Sequence, residues 1–362
     1  MSILLILSAG LYLAFLLYFI TGLFRHNDPS ITPSVDLSFV SVVIAARNEE
    51  KNLPDLIHDL VNQEYPMNKL EIIFVNDQSS DATGGILTEA AENYAFIKHI
   101  RIDERSSELS PKKHALTLGI EAAQGDIIVS TDADCRVPKF WVSSMVYSVV
   151  QNGGITVGYS SVKGDSFFDQ YQRMDFLGII TANAGVAGWG SYWSGTGQNL
   201  AYKKFDFESI GGFEPVKDKI SGDDMYLVQA ISNMQSGALN IDPNSFVYTQ
   251  PVETIKQFVN QRIRWSSNSR TSLNQRPLFF LFILSAFFTN TFILVSVILG
   301  IPGWGFPLLM KFIFEGGVIY FGGRLFETPV NPFVYFAWAL AQPLYIPVVG
   351  LMGTLNRFTW KS

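Results

Sequence analysis

"FVSVVIAA", residues 39–46, is an apolar run rich in β-branched side chains, closed by the charged "RNEE" of 47–50. A short run apolar at every position reads as a strand buried on both faces of a sheet. "LEIIFVND" (70–77) repeats the pattern, "DIIVSTDAD" (126–134) ends a later copy, and "FIKHIRI" (96–102) is a weaker strand between them. The stretches 49–63, 81–95 and 112–123 have helical spacing. Strands alternating with helices predict an α/β fold with a mostly parallel sheet and helices on both faces. Sheets of this kind bind ligands beyond the carboxyl ends of their strands. Polar residues gather there: Arg47, Asn48 and Glu49 after the first strand, Asn76 and Asp77 after the second, Asp132 and Asp134 after the later one.

The chain has 362 residues, enough for one large domain with membrane segments beside it. Hydrophobic residues make up 48 % and the formal net charge is −6, which argues against nucleic acid as a partner. Cys135 is the single cysteine, so no internal disulfide can form. Ile3–Phe24 is uncharged and long enough to cross a bilayer core. It lacks a basic start and its apolar stretch exceeds that of a signal peptide, so it reads as an anchor. Leu278–Gly300 is a second span, and Pro332–Met352 a third, interrupted by Gln342, Pro343 and Pro347. Trp304–Phe321 is ambiguous because it carries Lys311 and Glu315 on one helical face; the pair fits a bundle interior or an interfacial helix.

Arg25 follows the first span, and Arg262, Arg264, Arg270 and Arg276 precede the second. Basic flanks mark the cytoplasmic side, so the region between them is expected to face the cytoplasm, in the cell inner membrane or its equivalent. Arg357 and Lys361 favour that side too, which fits three spans better than four. The expected organisation is a transmembrane helix over 1–25, a catalytic domain over 36–276 ending in an amphipathic helix, and membrane helices over 277–362. The Pro/Ser-rich 27–35 joins the first two.

Two carboxylates around one small residue, Asp132-Ala133-Asp134, suit a hard divalent cation that keeps positions open for phosphate. Isolated, the pattern is more often a solvated turn; here it closes a strand. Asp77 fits a turn or helix cap, or a hydrogen bond to a base or ribose. Lys112 and Lys113 open a helix, either solvated or in contact with phosphate. "SGDDMYL" (221–227) places Asp223 beside Asp224. One of the two suits a helix cap, and a carboxylate beside another is a candidate general base.

In order, the chain carries "VVIAARNEE", "IIFVNDQSSD", "TDADCRVP", "GTGQNLAYKK", "GGFE", "GDDMYL" and "QRIRW". This series resembles the membrane-bound family-2 glycosyltransferases, the group of cellulose, hyaluronan and chitin synthases and ceramide glucosyltransferase. The resemblance covers about 40–265 and implies a nucleotide-diphosphosugar transferase (GT-A) fold with an inverting, Mg²⁺- or Mn²⁺-dependent transfer. It implies that Ala46 and Glu49 hold the donor nucleotide, that Asp77 holds a uracil, and that Lys112 and Asp132 contact the donor. Asp132 and Asp134 match the metal motif and Asp224 the catalytic base, with Asp223 beside it. Gln261, Arg264 and Trp265 match a motif near the acceptor and the diphosphate. Arg264 there would offset developing phosphate charge and Trp265 would floor the acceptor site; a basic collar at the membrane edge still suits Arg270 and Arg276. The implied partners are a nucleotide sugar, a lipid or glycan acceptor, and membrane lipids. Polymer synthases carry more C-terminal membrane sequence than this chain, so the expectation is a single transfer, with a processive polysaccharide synthase as the alternative. A nucleotidyltransferase is disfavoured because "AARNEEKN" (45–52) holds no glycine with which to cradle phosphates.

Overall fold

The computed structural model describes residues 2–26, 38–268 and 276–355. The 27–35 joining segment, Arg270, Arg357 and Lys361 lie outside them. The chain forms two compact units: Asn27–Ser161 with Ser194–Gln250, and Met1–His26 with Val162–Trp193 and Pro251–Ser362.

In the first unit the strands are β1 (Val40–Ala46), β2 (Leu70–Asn76), β3 (Ile97–Arg101), β4 (Ile127–Ser130), β5 (Cys135–Arg136), β6 (Ile155–Gly158), β7 (Ser160–Val162), β8 (Leu200–Lys203), β9 (Gly237–Asn240) and β10 (Val247–Thr249). The main sheet runs β3-β2-β1-β4-β8-β6-β9, and a small sheet runs β5-β10-β7. β3, β2, β1 and β4 are parallel neighbours, and β8 is antiparallel to both β4 and β6. This is the expected α/β fold with a mostly parallel sheet.

Alternation along β1 explains its uninterrupted apolar run. Val40, Val42 and Ile44 join a core with Leu53, Leu56 and Leu60 of α2 (Leu53–Val61) and Trp141, Met145 and Val149 of α5 (Trp141–Asn152). The opposite face of β1 and β2 is covered by α4 (Pro111–Ala122). α3 (Thr83–Asn93) follows β2. The register sets Ala46 level with Asn76, and Val43 level with Ser130. The loops after β1, β2 and β4 therefore emerge at one edge of the sheet. α7 (Lys204–Ser209) and α8 (Asp223–Met234) complete this unit.

The second unit is helical: α1 (Ser2–Leu23), α6 (Phe167–Ala187), α9 (Ile255–Ser266), α10 (Pro277–Ile298), α11 (Gly305–Leu325) and α12 (Pro332–Thr354). Residues 162–193 and 251–268, which the sequence places inside the 36–276 stretch, pack here with the long apolar helices. α1 and α6 meet backbone to backbone: a Cβ on Gly22 would stand 1.8 Å from the Gly185 carbonyl oxygen, and one on Gly185 2.6 Å from Phe19 Cα. Small residues permit this close approach between apolar helices.

Four described helices are long and apolar enough to cross a membrane: α1, α10, α11 and α12. This differs from the preference for three spans, and α11 is the reason. Its two charges are buried and paired, Lys311 Nζ to Glu315 Oε2 at 2.8 Å, and Tyr12 donates a hydrogen bond to Glu315 Oε1 at 2.7 Å. Paired inside the bundle, they no longer argue against an apolar span. Tyr12 meets Glu315, and the Phe24 and Phe321 rings lie 4.9 Å apart, so α1 and α11 run the same way. Arg25 and Arg324 therefore share one end of the unit. α10 returns to α11 through the uncharged 299–304, and its Phe282, near its start, packs 4.9 Å from Phe19. Arg276 thus lies at the same basic end.

Candidate active site

The loops after β1 and β2 are laced together at the carboxyl edge of the sheet. Asn48 Oδ1 accepts from the Ser80 N–H at 2.8 Å, the Asn48 N–H donates to Ser79 Oγ at 3.0 Å, and the Glu49 N–H donates to Thr83 Oγ1 at 2.8 Å. Asn48 and Gln78 hold left-handed backbone at φ 54° and 51°. For residues other than glycine this is uncommon, and here the cross-loop bonds hold it. Ala46 ends β1 buried, and its carbonyl accepts the Asp77 N–H at 2.9 Å. Asp77 is buried, and its Oδ2 lies 3.3 Å from Arg47 Nη1. Glu49 Oε2 accepts from Asn52 at 2.7 Å. Ala46, Glu49 and Asp77 are therefore together in one braced pair of loops.

A second cluster gathers around Lys112, in the first turn of α4. Its Nζ lies 2.5 Å from Asp132 Oδ1. Burial opposes the ammonium charge, but the carboxylates of Asp132, Asp223 and Asp224 more than offset it and push its pKa up. These acids thus draw a cation from two chain segments. Asp134 follows two residues after Asp132, with Cys135 buried next to it. The acids provide hard oxygen donors, and the spot already favours positive charge, so the residues fit a divalent cation. Among the described residues no three His, Cys, Asp or Glu side chains converge as a ready-made cage; further ligands would have to come from a bound phosphate.

Asp224 lies in the first turn of α8, after Gly222, whose φ of 88° suits glycine. Its Oδ1 accepts the Met225 N–H at 2.7 Å and its Oδ2 the Gly197 N–H at 3.2 Å. Burial and the neighbouring Asp223 carboxylate raise its pKa to about 6, against the opposing pull of Lys112 and the two N–H donors. A carboxylate near pH 6 is poised to take up a proton. Gly197 belongs to "GTGQN": a Cβ there would stand 3.3 Å from Lys112 Nζ. This turn is anchored by Asn199, fully buried, whose Nδ2 donates to the carbonyls of Tyr159 and Ser245 and whose Oδ1 accepts from Trp141 Nε1.

Residues 41–211, which carry most of this edge of the sheet, match the family model described as glycosyl transferase family 2. These residues form a family 2 glycosyltransferase domain. The relatives agree. "Probable glycosyltransferase YdaM" of Bacillus subtilis (strain 168) is 30 % identical over 269 residues, 70 % of this chain and 62 % of the relative. "Beta-monoglucosyldiacylglycerol synthase" of Trichormus variabilis is 39 % identical over 127 residues, 35 % of this chain and 25 % of the relative. The chain thus spans less than two thirds of either relative's length. Among solved structures, the mannosyltransferase PcManGT from Pyrobaculum calidifontis, in complex with GDP-Man and Mn²⁺, superposes with a TM-score of 0.65 at 20 % identity, covering 98 % of both chains. The glycosyltransferase domain therefore has the GT-A fold, with apolar helices toward both ends of the chain.

Gln261, Arg264 and Trp265 lie on α9, in the helical unit and beyond the span matched to the family model. α9 is opened by a capping box of Thr254 and Gln257. Its most buried cation is Arg262, 5 % exposed. Arg262 Nε lies 2.6 Å from Asp175 Oδ2 of α6, and Asp175 Oδ1 accepts from Trp338 Nε1 of α12 at 3.0 Å. The sequence counts Arg262 only among the basic flanks of a span and gives no sign of Asp175 as its partner. It also set Lys113 beside Lys112 as a solvated or phosphate-binding pair, whereas Lys113 is fully buried and donates to the carbonyls of Val216 and Lys219. Helical geometry carried the signal in both cases. Neighbouring residues diverge by about 100° and residues two apart by about 200°, so the two members of each cation pair leave their helix in different directions.

Proposed function

We propose that this protein transfers a sugar, with inversion, from a nucleotide-diphosphosugar to a lipid-linked or membrane-associated acceptor. One observation carries the reading: Asp224, raised to about 6, stands beside the cation-seeking Lys112 and Asp132, which lie within the 41–211 match to glycosyl transferase family 2. Asp224 takes the proton of the acceptor hydroxyl as its oxygen attacks the anomeric carbon. The bond to the diphosphate breaks on the opposite face, the sugar inverts, and the nucleoside diphosphate leaves. Asp223 orients or caps. Ala46, Glu49 and Asp77 hold the nucleotide, Asp77 favouring uracil, while Lys112 and Asp132 reach the phosphates. Asp132 and Asp134 would hold Mg²⁺ or Mn²⁺, which offsets the charge of the leaving diphosphate. Gln261, Arg264 and Trp265 serve the acceptor and the diphosphate; that assignment rests on the motif resemblance.

A lipid acceptor is supported by the four helices of membrane-crossing length and by a relative named for making a glycolipid. Arg25, Arg276 and Arg324 at one end of the helical unit support a cytoplasmic catalytic domain, since that end carries the chain onward from α1. The test is to incubate membranes holding the protein with labelled UDP- and GDP-sugars, then separate lipid extract from polymer. A single-sugar lipid product, suppressed by chelation, is expected. A ladder of long products would establish a processive synthase instead, and no turnover of any donor would remove the enzymatic reading.

A further inference from the structure

We infer that Arg262 is a positioning residue for the acceptor motif, locking Gln261 and Trp265 in place from within the helical unit. The inference rests on the acceptor role proposed for those two residues. The guanidinium of Arg262 meets the side chains of Phe258, Gln261, Trp265 and Asp175. Its carbon stands 4.2 Å from the Trp265 ring centroid and 4.4 Å from that of Phe258. Phe258 and Trp265 lie four residues before and three after it, so all three occupy one face of α9. Its Nη1 donates to Gln261 Oε1 at 2.5 Å, and its Nε meets Asp175 at 2.6 Å. A single planar cation therefore touches two of the three motif side chains that the resemblance assigns to the acceptor.

The far side of the contact is equally constrained. Asp175 sits in the middle of α6 with both oxygens engaged, one by Arg262 and one by Trp338 of α12. α9 is thereby keyed to two other helices through one carboxylate, and its rotation about its own axis is fixed. Arg264, two residues on, is turned about 200° from Arg262. Fixing Arg262 inward thus fixes where Arg264 is presented. A buried ion pair adds little net stability over an apolar replacement, but it selects one arrangement among several. Lysine cannot replace this arginine. It supplies charge for Asp175 but not a flat face for the Trp265 ring together with a second donor for Gln261.

The test uses the full-length protein in detergent, labelled with 5-fluorotryptophan, with Arg262→Lys and Asp175→Asn. The chain holds seven tryptophans, so Trp265→Phe assigns the Trp265 fluorine resonance. Loss of the cation over the ring should move that resonance in Arg262→Lys. In transfer assays, Arg262→Lys should raise the acceptor KM tenfold or more, leave the donor KM within twofold, and keep the melting temperature close to the parent. Asp175→Asn should shift the same constants the same way. An unmoved resonance in a folded Arg262→Lys would overturn the lock, as would unchanged acceptor kinetics despite a moved resonance. Donor and acceptor constants worsening together, in step with a lowered melting temperature, would reduce Arg262 to a structural residue. A parent protein that turns over no donor would instead defeat the transferase reading, and this inference with it.

Discussion

Asp224 has its carboxyl pushed up to about 6 by burial and by the adjacent Asp223 carboxylate. As the proposed base it must be ionised to accept a proton. kcat/KM should therefore be flat above about pH 7 and fall with decreasing pH through about 6, where an ordinary carboxylate would hold its rate to about pH 4. A pH profile that stays flat down to pH 4.5 would contradict the assignment. Asp224→Asn should cost about 10²–10⁴-fold in transfer rate with donor binding retained, and Asp223→Asn should cost less; the reverse order would move the base by one residue. Asp134→Ala should abolish metal-dependent donor binding, measurable by calorimetry with Mn²⁺ and nucleoside diphosphate. Undiminished metal-dependent binding would dissociate Asp134 from the cation. Both acid pairs could be read from the chain because each follows a strand end or a glycine that places it. The partners of Lys113 and Arg262 could not, because they are main-chain carbonyls at Val216 and Lys219 and a carboxylate 87 residues away.

The helices divide along similar lines. β1, β2, β4 and the helices between them were legible because local alternation and turn residues set them. α6 was not, because Asp169, Arg173 and Asp175 interrupt its apolar pattern: Asp169 closes a local capping box with Ser166, while Arg173 and Asp175 find their partners, the carbonyl of Val162 and Arg262, only in the folded chain. α11 was ambiguous for the same reason, since a Lys and a Glu in a span make sense only as a pair. Glu315→Ala strands the Lys311 ammonium and frees the Tyr12 hydroxyl, at a cost of about 3–5 kcal/mol. Replacing the pair together, Lys311→Met with Glu315→Leu, should restore most of the loss. Melting in detergent compares the two. A single variant as stable as the parent would mean the pair bears no charge in the bundle.

The arginines at one end of α1, α10 and α11 bear on how the protein sits in a membrane. The loop at 103–109 is largely exposed and contains Arg105. In sealed vesicles with the cytoplasmic face outward, trypsin should cut there; in vesicles of opposite orientation it should not until detergent is added. Cutting only in the second preparation would invert the topology.

The helical unit is sewn from three separated stretches of chain: 2–26, 162–193 and 251–355. This governs how the protein can be made. During synthesis α1 emerges first, but the surface of α6 that meets Gly22 arrives more than 160 residues later. α1 must wait with that face uncovered. The same arrangement defeats the usual route to a soluble fragment. Trimming the chain to 38–250 removes α1, α9, α10, α11 and α12 but keeps α6 with its apolar face bare. A water-soluble fragment that keeps the proposed donor site, though not Gln261, Arg264 and Trp265, would require 163–193 to be replaced by a short polar bridge as well, rejoining β7 to the "GTGQN" turn.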